Sequence, residues 1–167
     1  MEPYDRIGLE SLEAMGERGF RSSVAAYIAR ALYGQGRHDE ARELAERAEQ
    51  SSAADDIWTK TLAGGTRAKV LARQGQEREA EQSAREAAAL ISGTDALDLR
   101  GTALLDLTEV LILAGRGDDA RAPAEAALGL FERKGNVVSA EEARAVLVRA
   151  ENAGGITVSE GRGGPAS

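Results

Sequence analysis

Residues 32–48, LYGQGRHDEARELAERA, recur with variation at 71–87, LARQGQEREAEQSAREA, and at 111–127, LILAGRGDDARAPAEAA. Each copy opens on leucine, then places glycine four positions on and alanine at nine, thirteen and sixteen. The shared residues are Leu32, Gly36, Ala41, Ala45 and Ala48; Leu71, Gly75, Ala80, Ala84 and Ala87; and Leu111, Gly115, Ala120, Ala124 and Ala127. Gly36 to Gly75 spans 39 residues and Gly75 to Gly115 spans 40. A recurrence of about forty residues marks a solenoid, in which each unit stacks on the next.

Within each unit the glycine separates two stretches with helical apolar spacing. Ala25, Ile28, Ala29 and Leu32 precede the first glycine, and Ala41, Leu44, Ala45 and Ala48 follow it. Each unit therefore reads as a helical hairpin. Glycine ends the first helix because it takes the left-handed conformation without strain. The acids that follow, such as Asp39 and Glu40 or Asp118 and Asp119, suit the positive end of the second helix. Alanines recur where two helices press together, because larger side chains would push the axes apart.

This pattern predicts first helices at about 21–35, 56–74 and 96–114, and second helices at about 38–52, 77–91 and 118–134. Asp55 and Asp95 are the expected N-caps of the second and third first helices. Residues 20–153 form three hairpins and a C-terminal capping helix at about 137–151. Residues 1–19 read as an orphan second helix, at about 5–17, with Gly19 echoing Gly135 as the turn that ends it. Such a half-hairpin implies a piece of a longer protein, with Leu9, Leu12 and Met15 on an uncovered face that favours self-association. Residues 154–167, GGITVSEGRGGPAS, lack periodicity and read as a disordered Gly-rich tail.

Composition narrows the functions. Among 167 residues, 28 acidic side chains outweigh 21 basic ones for a net charge of −7, which leaves no broad cationic footprint for nucleic acid or anionic lipid. Cysteine is absent, which excludes disulfides, thiolate nucleophiles and Cys-type zinc sites and suits a reducing cytoplasm. The most apolar stretch, LLDLTEVLILAG, is short and carries Asp106 and Glu109, so no membrane span is expected.

Chemistry-bearing residues are sparse. His38 is the single histidine, too few for a two-histidine metal site, and it opens a second helix. The carboxylate pairs Asp55–Asp56 and Asp118–Asp119 fall at helix starts, where capping accounts for them. GGTRAK at 64–69 lacks the spacing of a phosphate-binding loop and lies within a helix. Its two mid-helix glycines cost roughly 1 kcal/mol each against alanine, so close approach of a neighbour is expected there. No catalytic residue and no cofactor follow from the sequence. Trp58, Tyr27, Tyr33 and Phe131 read as packing wedges, with Tyr33 the one to examine for a binding role.

The Leu, Gly and three Ala of each unit resemble tetratricopeptide repeats over about residues 20–134. The family's aromatic near the start of the first helix is here Ala25, Gly64 or Leu104, and the period exceeds the family's usual length. Long hairpins of this kind are similar to the C-terminal arms of bacterial signalling ATPases, LuxR-type regulators and ATPase-fused adenylate or guanylate cyclases. A HEAT or armadillo array is the rival fold. The resemblance implies an all-α right-handed superhelix of about eight helices, acting as a non-catalytic, cytoplasmic protein-binding arm. The alternatives are a fragment of a cyclase whose catalytic domain lies elsewhere, and a self-association module working through the N-terminal end.

By the same resemblance, an inner groove is lined by the first helices. It would contain Ser23, Ala26, Arg30 and Tyr33; Leu62, Gly65, Lys69 and Arg73; and Thr102, Leu105, Glu109 and Ile112. Arg30, Lys69 and Arg73 would form a cationic strip beside Tyr33, with Leu105 and Ile112 as an apolar floor and Glu109 as a balancing acid. The expected partner is a protein or peptide segment, acidic at one end and apolar at the other. Charge reversal at Lys69 and Arg73 is then expected to weaken its binding without disturbing the fold.

Overall fold

The three recurring glycines end the first helices by one geometry. Gly36, Gly75 and Gly115 have φ of 78°, 77° and 70°, the left-handed region. The residue after each glycine donates its N–H to the carbonyl of the recurring leucine: Arg37 to Leu32 at 3.0 Å, Gln76 to Leu71 at 3.0 Å and Arg116 to Leu111 at 2.9 Å. The glycine's own N–H goes to the carbonyl one residue later than the leucine's. This is a Schellman motif, and it explains the fixed leucine-to-glycine spacing.

A computed structural model of the chain describes the backbone of residues 18–155 and side chains from residue 21 onward. Its helices are α1 (Arg18–Gly34), α2 (His38–Ser51), α3 (Ile57–Arg73), α4 (Glu77–Ile91), α5 (Leu97–Leu113), α6 (Gly117–Lys134) and α7 (Val137–Gly155). The described residues are all-α, with no strand. The pairs α1–α2, α3–α4 and α5–α6 are antiparallel hairpins, and α7 packs on α6. The helix expected at about 5–17, with Leu9, Leu12 and Met15, lies outside the described residues, as does the tail from 156.

Several boundaries differ from the sequence reading. α1 starts at Arg18 and takes in Gly19, so helix continues where a turn was expected. α7 runs to Gly155, so the first two residues assigned to the tail are helical. Gly117 abuts Ala150, Ala153 and Gly154 there, and a side chain on Gly117 would collide with their backbone. That contact gives the end of α7 a packing partner. Asp56, not Asp55, caps α3, its carboxylate accepting the Thr59 N–H at 3.0 Å. Asp95 does not cap α5; Ala96 holds that position, and its N–H reaches Thr94 Oγ1 at 3.3 Å.

The recurring alanines occupy the hairpin seams. Ala41, Ala45, Ala48, Ala80, Ala84, Ala120, Ala124 and Ala127 are fully buried. Methyl groups there let the paired axes approach. Replacing Ala80 with leucine is expected to overpack the α3–α4 seam and cost roughly 1–3 kcal/mol. Thermal melting followed by circular dichroism checks this, and an unchanged midpoint would contradict the seam assignment.

Two layers emerge from the contacts. The first helices α1, α3, α5 and α7 pack side by side, each on the next. Among the described residues, the second helices α2, α4 and α6 pack on first helices and not on one another. Between α2 and α4 this leaves an outer furrow of about 200 Å³, lined by Glu49, Lys60, Gly64, Arg67, Ser83 and Leu90 among others. Gly64 forms its floor, where a side chain would otherwise stand.

Candidate functional site

Asp106 is an acid within an apolar run of α5, and its burial demands partners. It is 3% exposed. Arg30 of α1 donates to its Oδ2 at 2.6 Å, and Lys69 Nζ of α3 lies 2.9 Å from its Oδ1. The carboxylate can stand there because Gly65 of α3 lies directly beneath it; a Cβ on Gly65 would overlap the Asp106 carboxyl group. A mid-helix glycine and an isolated acid are thus two halves of one contact.

One turn further along, the network continues. Tyr33 Oη donates to Glu109 Oε1 and accepts from Arg73 Nε at 2.6 Å, while Arg73 also reaches Glu109 at 3.2 Å. Lys69 Nζ sits 4.5 Å from the Tyr33 ring centroid and the Arg73 guanidinium carbon 5.3 Å from it, both cation–π contacts. His38 lies beside the same ring, with centroids 5.1 Å apart. Side chains of α1 therefore bond to α5 across the top of α3, whose Gly65 leaves room for them.

Electrostatics follow from this packing. Burial raises the Asp106 pKa, but Arg30 and Lys69 outweigh burial and hold the carboxyl below its ordinary range. For Arg30, burial disfavours the charge, yet Asp106, helped by Glu142 of α7 and by Glu109, keeps it more firmly protonated than usual. Burial, then the bond to Glu109, raises the Tyr33 pKa above its ordinary value. Because the Asp106 pKa is depressed on folding, its contribution to stability is complete above the ordinary carboxylate range, near pH 4, and fades as pH falls through its native value. Urea midpoints measured from pH 7 to pH 3 should decline most steeply below about pH 4, with a shallower acid limb in Asp106→Asn.

The sequence-derived residues divide. Arg30, Tyr33, Lys69, Arg73 and Glu109 come together in the network, with Asp106 as the member that sequence reasoning missed as a site residue. Leu105 and Ile112 do not; each is half-buried against a neighbouring core cluster. Ala26, Leu62, Gly65 and Lys69 are buried, so much of the expected lining is closed off by adjacent helices. The cations are bonded internally rather than presented as a bare strip. Reversal at Lys69 would bring a third carboxylate against Asp106 and Glu109, so it cannot leave the fold undisturbed as expected.

Beside the exposed Arg73, this face presents two aromatic side chains. Tyr27, one turn before Arg30, and Trp58, at the start of α3, are 52% and 43% exposed, and Trp58 Nε1 donates to Tyr27 Oη at 3.1 Å. Trp58, Leu62, Gly65, Lys69 and Arg73 share one face of α3 by spacing. Beneath the pair, Ser23 and Thr59 hydroxyls bond at 2.8 Å. Tyr27 and Trp58 are therefore half-exposed rather than buried as wedges between hairpins, and Phe131 is buried with its ring against Gly101 of its own hairpin.

Among the described residues, no helix is long and apolar enough to cross a membrane, and no group of three His, Asp or Glu side chains could hold a metal ion. The chain matches no model of a known protein family, and no curated protein is detectably similar to it.

Proposed function

We propose that this chain is a non-catalytic protein-binding module, tetratricopeptide-like in its superhelical arrangement, that receives a partner segment on the face shared by α1 and α3. The observation that carries this reading is the solvent-exposed pair Tyr27–Trp58 beside the network of Arg30, Tyr33, Lys69, Arg73, Asp106 and Glu109. Exposed aromatics held at fixed orientation supply contact area at low entropic cost and are enriched at interface centres. The network supports the role by holding α1, α3 and α5 in one arrangement. The proposed context is the C-terminal arm of a cytoplasmic bacterial ATP-dependent regulator or nucleotide cyclase, a reading that rests on the repeat's resemblance alone.

The test is selection of peptides from a random displayed library on the full chain, followed by amide resonance mapping. Shifts clustered on α1 and α3 around Tyr27, Trp58 and Arg73 are expected; shifts confined to α2, α4 and α6 would overturn the reading. Self-association is the second reading, favoured by Val137, Val138 and Val148, which leave α7 with exposed apolar side chains. Sedimentation over a hundredfold range of concentration distinguishes it from a monomeric binder.

A further inference from the structure

Cations meet an aromatic ring twice among the described residues, and both contacts, from Lys69 and Arg73, fall on Tyr33. The faces of Tyr27 and Trp58 receive none of them, although they are the more exposed rings. Lys60, two residues after Trp58, is turned to the carbonyl of Ala54. Arg30, one turn from Tyr27, is bonded to Asp106. Lys60 and Arg30, the basic residues nearest the pair in sequence, are therefore engaged within the chain and are poorly placed to receive a partner's acid.

The charge around the pair points the same way. The chain carries a net −7, and although the network holds three cations, Arg30, Lys69 and Arg73, against two acids, Asp106 and Glu109, those cations are bonded within it. Glu142 of α7, exposed, lies close enough to Arg30 to help hold its charge. Asp55, also exposed, stands in the turn three residues before Trp58. An electron-rich ring face flanked by exposed carboxylates such as Asp55 and Glu142 attracts ammonium and guanidinium groups and repels carboxylates.

Building on the protein-binding reading, we infer that Tyr27 and Trp58 form a docking point for an arginine or lysine side chain on an otherwise apolar partner segment. The cation would lie over the exposed ring faces, and the flanking apolar residues would cover their edges and the adjoining part of α1 and α3. This partner chemistry is opposite in sign to the acidic segment that the row of cations suggests in the sequence.

The peptides selected on the full chain provide the test, each carrying a fluorescent label so that anisotropy reads binding to every variant, including those that lack the single tryptophan, Trp58. Arginine or lysine beside leucine or aromatic residues should be enriched, and binding should fall as salt rises. Trp58→Ala should weaken a selected peptide about tenfold or more, and Trp58→Phe should retain most of the affinity. Asp55→Asn combined with Glu142→Gln should weaken it less and flatten its salt dependence. Enrichment of acidic peptides, or of neither sign, overturns the inference. If such peptides still map to α1 and α3, the protein-binding reading survives; if they map elsewhere, both fail.

Discussion

Replacing Gly65 with alanine is expected to cost on the order of 3–5 kcal/mol, although alanine is the better helix former by roughly 1 kcal/mol. The added methyl occupies the space of the Asp106 carboxyl group, so either α3 and α5 separate or the acid leaves Arg30 and Lys69. Both outcomes strand buried charge. The adjacent Gly64→Ala is the control. Its methyl would meet the flexible end of Glu49 at 3.2 Å and Ala87 Cβ at 3.5 Å, over an open furrow. Helix propensity then dominates, and Gly64→Ala should be neutral or stabilising by up to about 1 kcal/mol. Thermal melting of the two variants should show midpoints moving apart, Gly65→Ala downward by roughly 6–20 °C. Similar midpoints for the two variants would contradict the contact beneath Asp106.

The second large effect is Asp106→Ala. It leaves Arg30 without its carboxylate and Lys69 with only Glu109, 3.9 Å away, so a loss of about 3–5 kcal/mol is expected. Replacing the whole group by apolar side chains has a different consequence. Arg30→Met, Lys69→Met and Asp106→Leu together remove the desolvation penalty along with the attraction, and most of the lost stability should return. Chemical denaturation of the single and triple variants decides this. A triple variant no more stable than Asp106→Ala would mean that the network contributes through geometry that apolar packing cannot replace.

The hairpins were legible because their causes are local. A leucine whose carbonyl accepts the closing hydrogen bond, a left-handed glycine and three seam alanines all lie within 17 residues of one another. The network was only half legible. Arg30, Tyr33, Lys69, Arg73 and Glu109 shared a face by repeat spacing, but Arg30–Asp106 and Tyr33–Glu109 each span 76 positions, where no short-range pattern operates. Two clues were nevertheless present in the sequence: a lone aspartate in LLDLTEVLIL, which requires a buried partner, and a mid-helix glycine that requires a close neighbour. The aromatic pair was misread because large apolar side chains are ordinarily interior, and only packing reveals which remain in water.

The bonds from α1 to α5 skip a hairpin. In an array whose units touch only their neighbours, stability is a sum of units and adjacent interfaces, and the terminal unit frays first. Here Arg30 and Tyr33 tie the first hairpin to the third as well as to the second. Unravelling α1 therefore forfeits contacts two units away and leaves Asp106 and Glu109 short of partners. Amide hydrogen exchange should accordingly show α1, α3 and α5 opening as one cooperative unit, rather than a gradient of protection rising from the N-terminal hairpin inward.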